Sequence, residues 1–344
     1  MRNPKAVVRN PNSRRPSALG LRPSFGFRAS DFGFRAPSSE LATVSFPVRD
    51  YDLDATMDCG QAFRWRQSDA GWTGIIGTRW VRLRLDASGI TAEAIAPVAD
   101  WCWLSDYLQL ATNLGQVLGT FPDDEPMRAA VRACRGLRLV RQDPWECLAS
   151  FILSSTKQII QIRQIIGLLC ERFGEPVTTP LGQAAERTFP SAARLARATE
   201  TELRACKMGF RAPYLLGAAQ QVAAGELDLV RLPALPLEAA RARLMQFPGV
   251  GRKIADCVLL FGSGFPTAFP VDVWVLKALR ELYFRGRQTA TRDLHEFAAG
   301  HFGANAGYAQ QYLFHYMRTK FKVQRSTFKV RSPADESDDT RGAV

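Results

Sequence analysis

The sequence lacks a run of about 18 apolar residues, the length a membrane helix needs. Its longest apolar stretches, such as 257–261, are short and stop at Gly262. It lacks Cys-x-x-Cys spacing: the seven cysteines lie at 59, 102, 134, 147, 170, 206 and 257. An odd, scattered set excludes a disulfide framework and points to free thiols in a reducing compartment. There are only three histidines, at 295, 301 and 315, far in sequence from every cysteine but Cys257. That excludes a zinc site of ordinary spacing. No glycine motif follows a strand in the manner of a dinucleotide-binding fold. Neither a metal nor an organic cofactor is therefore expected, and no membrane partner.

Strong charge is missing from the body of the chain. The formal net charge of the 344 residues is +12, but residues 1–40 carry +6 and residues 318–344 carry +3. Residues 41–317 are left with +3, so net charge alone does not argue for a nucleic-acid-binding core. With 46% hydrophobic and 23% charged residues, the composition is that of an ordinary globular protein of about two domains.

Residues 1–40 are rich in Pro, Arg and Ser, with a near-repeat of Phe25–Ala29 at Phe32–Ala36. They read as a disordered basic extension. Prolines argue against the amphipathic helix of a transit peptide. Residues 319–344 read as a polar tail. From 41 to about 100 the pattern is β: Phe63–Arg66 and Trp80–Leu85 alternate, and glycine-containing turns join short runs. From about 101 the period is helical. Asp143-Pro144 is a helix start, and Ile159, Ile162, Ile165, Ile166 and Leu169 form a stripe. Further helices are predicted around 191–197, 200–206, 212–224, 237–246, 252–261, 273–284, 290–301 and 305–318. The fold class is α+β: a small antiparallel β-rich N-terminal domain over 41–140, then a mostly α-helical domain over 141–318.

The most informative stretch runs from Leu244 to Asp256. A helix ends, Pro248-Gly249-Val250-Gly251 turns, and a second helix begins. Glycines let the backbone approach a ligand closely. The new helix offers free N–H groups and a positive dipole end, which suits a phosphate and reads no base. Lys253 lies in the first turn of that helix, where a neutral amine nucleophile is favoured. Asp272 follows nineteen residues later, at a cap position. Taken singly, these features are a connector, a surface lysine and an N-cap.

Together they resemble the helix-hairpin-helix DNA glycosylase superfamily, whose signature is this hairpin followed by an aspartate. The resemblance implies that Asp272 supports departure of the damaged base. It implies that Lys253 forms a Schiff base with the sugar and then cleaves the strand. No cysteine follows Cys257, so the iron–sulfur site of the endonuclease III-like branch is absent. The 8-oxoguanine branch is matched further. Cys59–Trp65 is similar to its Gly-Gln-Ser-Phe-Arg-Trp, Asp143–Leu148 to a helix start, and Met208–Ala212 to its Gly-Tyr-Arg-Ala. Ala306–Gln310 with Phe314 is similar to its last helix. The likeness spans about residues 45–318 in the family's order.

That resemblance implies an enzyme of base excision repair: a bifunctional glycosylase and abasic-site lyase acting on duplex DNA that contains oxidised guanine, as a monomer. Its location would be cytoplasmic and nucleoid-associated in a bacterium, nuclear in a eukaryote. The Gly60 carbonyl would accept the N7 hydrogen that distinguishes 8-oxoguanine from guanine. Cys257 and Phe314 would sandwich the flipped base and Gln310 would bond its pairing edge. Gly249, Gly251, Ile254, Thr156, Phe210, Arg211 and Trp274 would contact DNA, with Arg211 reading the orphaned cytosine. The chain departs from the family at the wedge, here Ser155–Gln158, and at Gln161, where a second arginine is usual. It departs also at Pro213 and at Trp274, where animal members have histidine. An alkyl-purine glycosylase and a noncatalytic sensor of damaged DNA are the rival readings. Release of methylated adenine would identify the first, and binding without strand cleavage the second.

Overall fold

The computed structural model describes residues 40–330. The expectations for residues 1–39 and 331–344 lie outside the described residues. A five-stranded antiparallel sheet is built from β1 (Leu41–Phe46), β2 (Arg66–Ser68), β3 (Gly71–Ile76), β4 (Arg79–Asp86) and β5 (Gly89–Ile95). Its order is β1-β5-β4-β3-β2, so hairpins make most of it and β1 closes the far edge. The register sets Trp72 opposite Leu83 and Leu83 opposite Ala92, placing apolar residues on one face. That face packs Trp72, Val81, Leu83 and Ile90 with Trp65, Met57, Leu104, Leu108 and Val140.

Two details differ from the alternation pattern. Phe63–Trp65 is not a strand; the chain runs there as a loop, and β2 begins only at Arg66. A short helix, α1 (Leu53–Asp58), interrupts the predicted β region, with Asp52 capping it through the Ala55 amide.

The helices α2 (Cys102–Leu108), α3 (Leu114–Leu118) and α4 (Glu125–Ala133) lead out of the sheet region. They divide between two cores. Leu104 and Leu108 pack under the sheet, whereas Leu114, Val117, Met127 and Ala130 join the helical core. Helices α5 (Pro144–Leu153), α6 (Ile159–Phe173), α7 (Ala192–Ala196), α8 (Glu200–Leu203) and α9 (Ala212–Ala223) follow. Then come α10 (Leu237–Leu244), α11 (Arg252–Cys257), α12 (Val273–Leu282), α13 (Thr291–His301) and α14 (Ala306–Val330). The stripe Ile162, Ile165, Ile166 and Leu169 on α6 is buried as its spacing requires. The last helix does not stop at 318 but continues to Val330. Among the described residues, no helix is long and apolar enough to cross a membrane.

Candidate active site

The two helices of the hairpin are α10 and α11. Between them Val250 N donates to Phe247 O (3.0 Å), closing the turn. Gly249 has φ +79°, and a β-carbon there would lie 2.6 Å from Tyr214 Cγ. Only glycine permits both the backbone angle and that close approach. Gly251 caps α11, and the first backbone hydrogen bond into Gly251 comes from Ala255 N (3.0 Å). The amides of the first turn are left without intrahelical acceptors. Gly249 and Gly251 are exposed. Ile254 is buried, so its side chain serves the core, and only its amide belongs to this surface.

Lys253 is the second residue of α11, in its first turn. Its Nζ donates to Ser154 Oγ (2.9 Å) at the end of α5 and lies 5.1 Å from the Phe151 ring centre. The helix does not end at Cys257 but widens into a π-turn over Val258–Ser263, so the predicted 252–261 helix is a composite. Asp272 caps α12: its Oδ1 accepts from Trp274 N (3.0 Å) and Val275 N (2.8 Å). Burial pushes the Asp272 carboxyl above its ordinary range, while the Val275 amide, the Lys253 charge and the Trp274 amide oppose that push. Cys257 feels both neighbours. Burial pushes its thiol up to about 12, with Lys253 lowering it and Asp272 raising it. The thiol is thus a neutral wall beside a lysine and a carboxylate, not a nucleophile. The fold brings Lys253, Cys257 and Asp272 together.

Of the other residues expected to recognise the base, Gly60 follows α1 and Gln310 and Phe314 lie on α14. Gly60 follows α1 with φ +81°, and a β-carbon there would lie 2.6 Å from Ile159 Cδ1 and 3.7 Å from Phe314 Cε1. Gly60 therefore lies against the Phe314 ring. Gln310 and Phe314 stand one turn apart on α14. Gln310 is 3% exposed, and its Oε1 is buried without a hydrogen-bond partner. A buried unpaired amide oxygen costs free energy until something donates to it, which suits the edge of an entering base.

The residues expected to contact the DNA strands are less uniformly placed. Phe210 is 56% exposed, its ring set edge-on to Tyr214 (6.5 Å). Arg211, the arginine expected to read the orphaned base, is 2% exposed and folded inward in the absence of DNA. It donates to Ser155 O, to Thr156 Oγ1 (2.5 Å) and to Met208 O (3.3 Å), with its guanidinium 4.3 Å from the Phe210 ring centre. Thr156 is exposed at φ +57°, a left-handed angle rare for a β-branched residue. Trp274 is half-buried, with its ring against Phe321 of α14 (5.7 Å), so it packs between helices. Gln161 accepts from Gln158 N (3.1 Å) and caps α6, a local use for the residue that replaces the usual arginine. Pro213 occupies the first turn of α9, where it needs no donor.

Ser154 and Phe151, which hold the lysine, were not singled out by the sequence. A serine at a helix end and a phenylalanine in an apolar run give no signal of their own. Among the described residues, no group of three His, Cys, Asp or Glu could hold a metal ion.

Comparison with known proteins accords with this geometry. Residues 43–148 match the 8-oxoguanine DNA glycosylase N-terminal domain, and residues 149–299 match the HhH-GPD superfamily of base excision DNA repair proteins. The N-glycosylase/DNA lyase OGG1 of Arabidopsis thaliana is 32% identical over 293 residues, covering 78% of this chain and 79% of that protein. The chain belongs to the 8-oxoguanine DNA glycosylase family. A probable N-glycosylase/DNA lyase of Methanothermobacter thermautotrophicus is 29% identical over 311 residues, covering 82% of the glycosylase described here and 98% of its own length. The crystal structure of the Clostridium acetobutylicum 8-oxoguanine glycosylase/lyase with duplex DNA containing cytosine opposite 8-oxoguanine superposes with a TM-score of 0.75. It is 31% identical and covers 79% of this glycosylase and 93% of that chain.

Proposed function

We propose that this chain is a bifunctional DNA glycosylase and abasic-site lyase that removes 8-oxoguanine from duplex DNA. The observation that carries the reading is Lys253 beside a half-buried Asp272, with Gly60 against the Phe314 ring and the unpaired Gln310 amide oxygen one turn away on α14.

The hairpin amides bind a backbone phosphate without reading sequence. The target nucleotide leaves the stack, and the cost of unstacking is offset by the pocket. The Gly60 carbonyl accepts the N7 hydrogen of 8-oxoguanine. Guanine presents a lone pair there instead, and two facing acceptors are penalised. As the bond from C1′ to the base nitrogen breaks, its electron pair leaves with the base and positive charge grows on the sugar. Asp272 stabilises that charge as a fixed carboxylate. The Lys253 amine forms the new bond to C1′ and gives up its proton. Ring opening yields the imine. Loss of a C2′ proton then expels the 3′ phosphate, which nicks the strand.

Borohydride trapping tests the reading on a duplex with one 8-oxoguanine opposite cytosine, beside undamaged and alkylated duplexes. Reduction of the imine gives a covalent adduct with the 8-oxoguanine duplex alone. Absence of any adduct, or an adduct only with the alkylated duplex, overturns it.

A further inference from the structure

Four consecutive peptide carbonyls around Gly60 have unequal fates. Arg318 Nη1 donates to Asp58 O (2.7 Å), Gln311 Nε2 donates to Cys59 O (3.2 Å), and Gln142 Nε2 donates to Gln61 O (2.7 Å). Among the described residues, the Gly60 carbonyl accepts no hydrogen bond from the protein. The Gln61 side chain is fixed in turn, donating to Thr56 O (3.0 Å) and Arg138 O (2.8 Å) and accepting from Val140 N (2.9 Å). Gln61, Gln142 and Gln311 are all buried, so these bonds form away from competing water.

Helix α14 supplies two of the three braces and the adjoining ring. Gln311, Phe314 and Arg318 follow at spacings of three and four, which puts them on one helical face toward the 58–60 turn. Arg318 also pairs with the Asp58 side chain (3.4 Å), as does Arg163 of α6 (3.1 Å). A glycine peptide at positive φ is the link in a chain most free to rotate. Fixing the carbonyl before it and the carbonyl after it removes that freedom and leaves one acceptor exposed for an incoming donor.

We propose that Gln311, with Arg318 and Gln142, positions the Gly60 carbonyl and thereby sets discrimination between bases with and without an N7 hydrogen. This rests on the Gly60 reading given above. Gln311 is 3% exposed and acts through its bond to Cys59 O, so its assigned part is that of a positioning residue. If its bond to Cys59 O is removed, the Gly60 carbonyl can turn aside from an unprotonated N7, and the penalty against the wrong base falls.

The test uses the full-length protein and three duplexes. One holds 8-oxoguanine, one holds 8-methoxyguanine, which keeps an oxygen at C8 but has no N7 hydrogen, and one holds a preformed abasic site. Gln311→Met keeps side-chain length and removes the donor. Its preference for 8-oxoguanine over 8-methoxyguanine should fall about fivefold to tenfold from the wild-type value, the worth of one lost hydrogen bond. Cleavage at the abasic site, where no base is read, should change less than about twofold on the same basis. Arg318→Met removes a second brace from a separate position and should lower the preference in the same direction. An unchanged preference in both variants overturns the proposal, as does an equal loss on the abasic duplex. A wild type with no preference removes the Gly60 reading itself, which distinguishes the two failures.

Discussion

Arg211 is tied to Thr156: its guanidinium donates to the threonine hydroxyl and to the neighbouring Ser155 carbonyl. Two residues assigned by resemblance to DNA contact therefore hold each other in the free protein. Burial lowers the Arg211 guanidinium from its usual range, yet it stays charged, so those two acceptors carry much of its solvation. Thr156 keeps a left-handed backbone at φ +57° only because its surroundings fix it. To read an orphaned base, Arg211 must release this loop.

Arg211→Ala should therefore loosen residues 154–158 in the absence of DNA. The loss of a charged hydrogen-bonding partner is worth about 1.5–3 kcal/mol of local opening free energy. Hydrogen exchange of the 155–157 amides should accelerate accordingly. Preference for cytosine opposite the lesion should fall as well. Exchange unchanged from wild type would mean that the brace contributes nothing.

Lys253→Gln should abolish covalent trapping while leaving binding to damaged duplex intact. The amide can still bond Ser154 Oγ, now 2.9 Å from the amine, so the local structure has no reason to change. It has no nucleophilic lone pair and cannot form an imine. Trapping that survives in Lys253→Gln would assign the attack to another group.

Asp272 combines a structural and a chemical role, and two substitutions separate them. Asp272→Asn keeps an oxygen for the Trp274 and Val275 amides, so the cap of α12 persists. Asp272→Ala loses it and should cost about 1 kcal/mol of stability. Excision should fall about a hundredfold to a thousandfold in both, since neither supplies a negative charge. The carboxyl's range is raised by burial above the ordinary 3.8. The active carboxylate is therefore lost as pH falls through that raised value, earlier than for an exposed aspartate. Its effect on stability has the opposite sense. Burying the charged form opposes folding at higher pH, and this opposition fades as pH falls toward 3.8. A pH–rate profile beside urea melts of Asp272→Asn reads both signs.

Much of this site was legible because it is local in sequence. The hairpin, Lys253 and Asp272 lie within about two dozen residues, and their roles follow from helix ends and caps. The helical stripes fixed their own faces, as Ile162, Ile165 and Leu169 show. The braces were not legible, because they join residues far apart in the chain: Gln311 to Cys59, Gln142 to Gln61, Ser154 to Lys253. A glutamine in a helix carries no mark of which distant carbonyl it will meet. Phe63–Trp65 misled for a related reason. Its alternation reflects burial on two different cores, Phe63 in the helical one and Trp65 under the sheet, not a strand. The inward fold of Arg211 was hidden too, since a loop arginine reads as solvated until the loop's carbonyls are placed.

A buried ion pair fastens α10 to α11. Arg241 Nε of α10 donates to Asp256 Oδ1 of α11 (2.6 Å), and Asp256 is 1% exposed. Arg252 stands 3.7 Å from the other oxygen, Glu238 pairs with Arg241 from the surface, and His295 feels both arginines. Burial pushes the Asp256 carboxyl up to about 6, against the pull of Arg241, so it remains mostly ionised at neutral pH. Arg241→Met would leave that buried carboxylate with only the exposed Arg252 at 3.7 Å, and at neutral pH this should cost about 3 kcal/mol. The carboxyl's raised range means that the folded state holds its proton more tightly than the unfolded chain. The deficit of Arg241→Met should therefore be greatest at neutral pH and shrink as pH falls, as the stranded carboxyl takes up a proton. Replacing both partners, as Arg241→Met with Asp256→Leu, should recover most of the loss, because neither charge is then buried alone. Urea melts of the three proteins from pH 5 to pH 8 measure this. A deficit that does not change with pH would show that Asp256 takes up no proton when Arg241 is gone, and that the arginine acts there by packing alone.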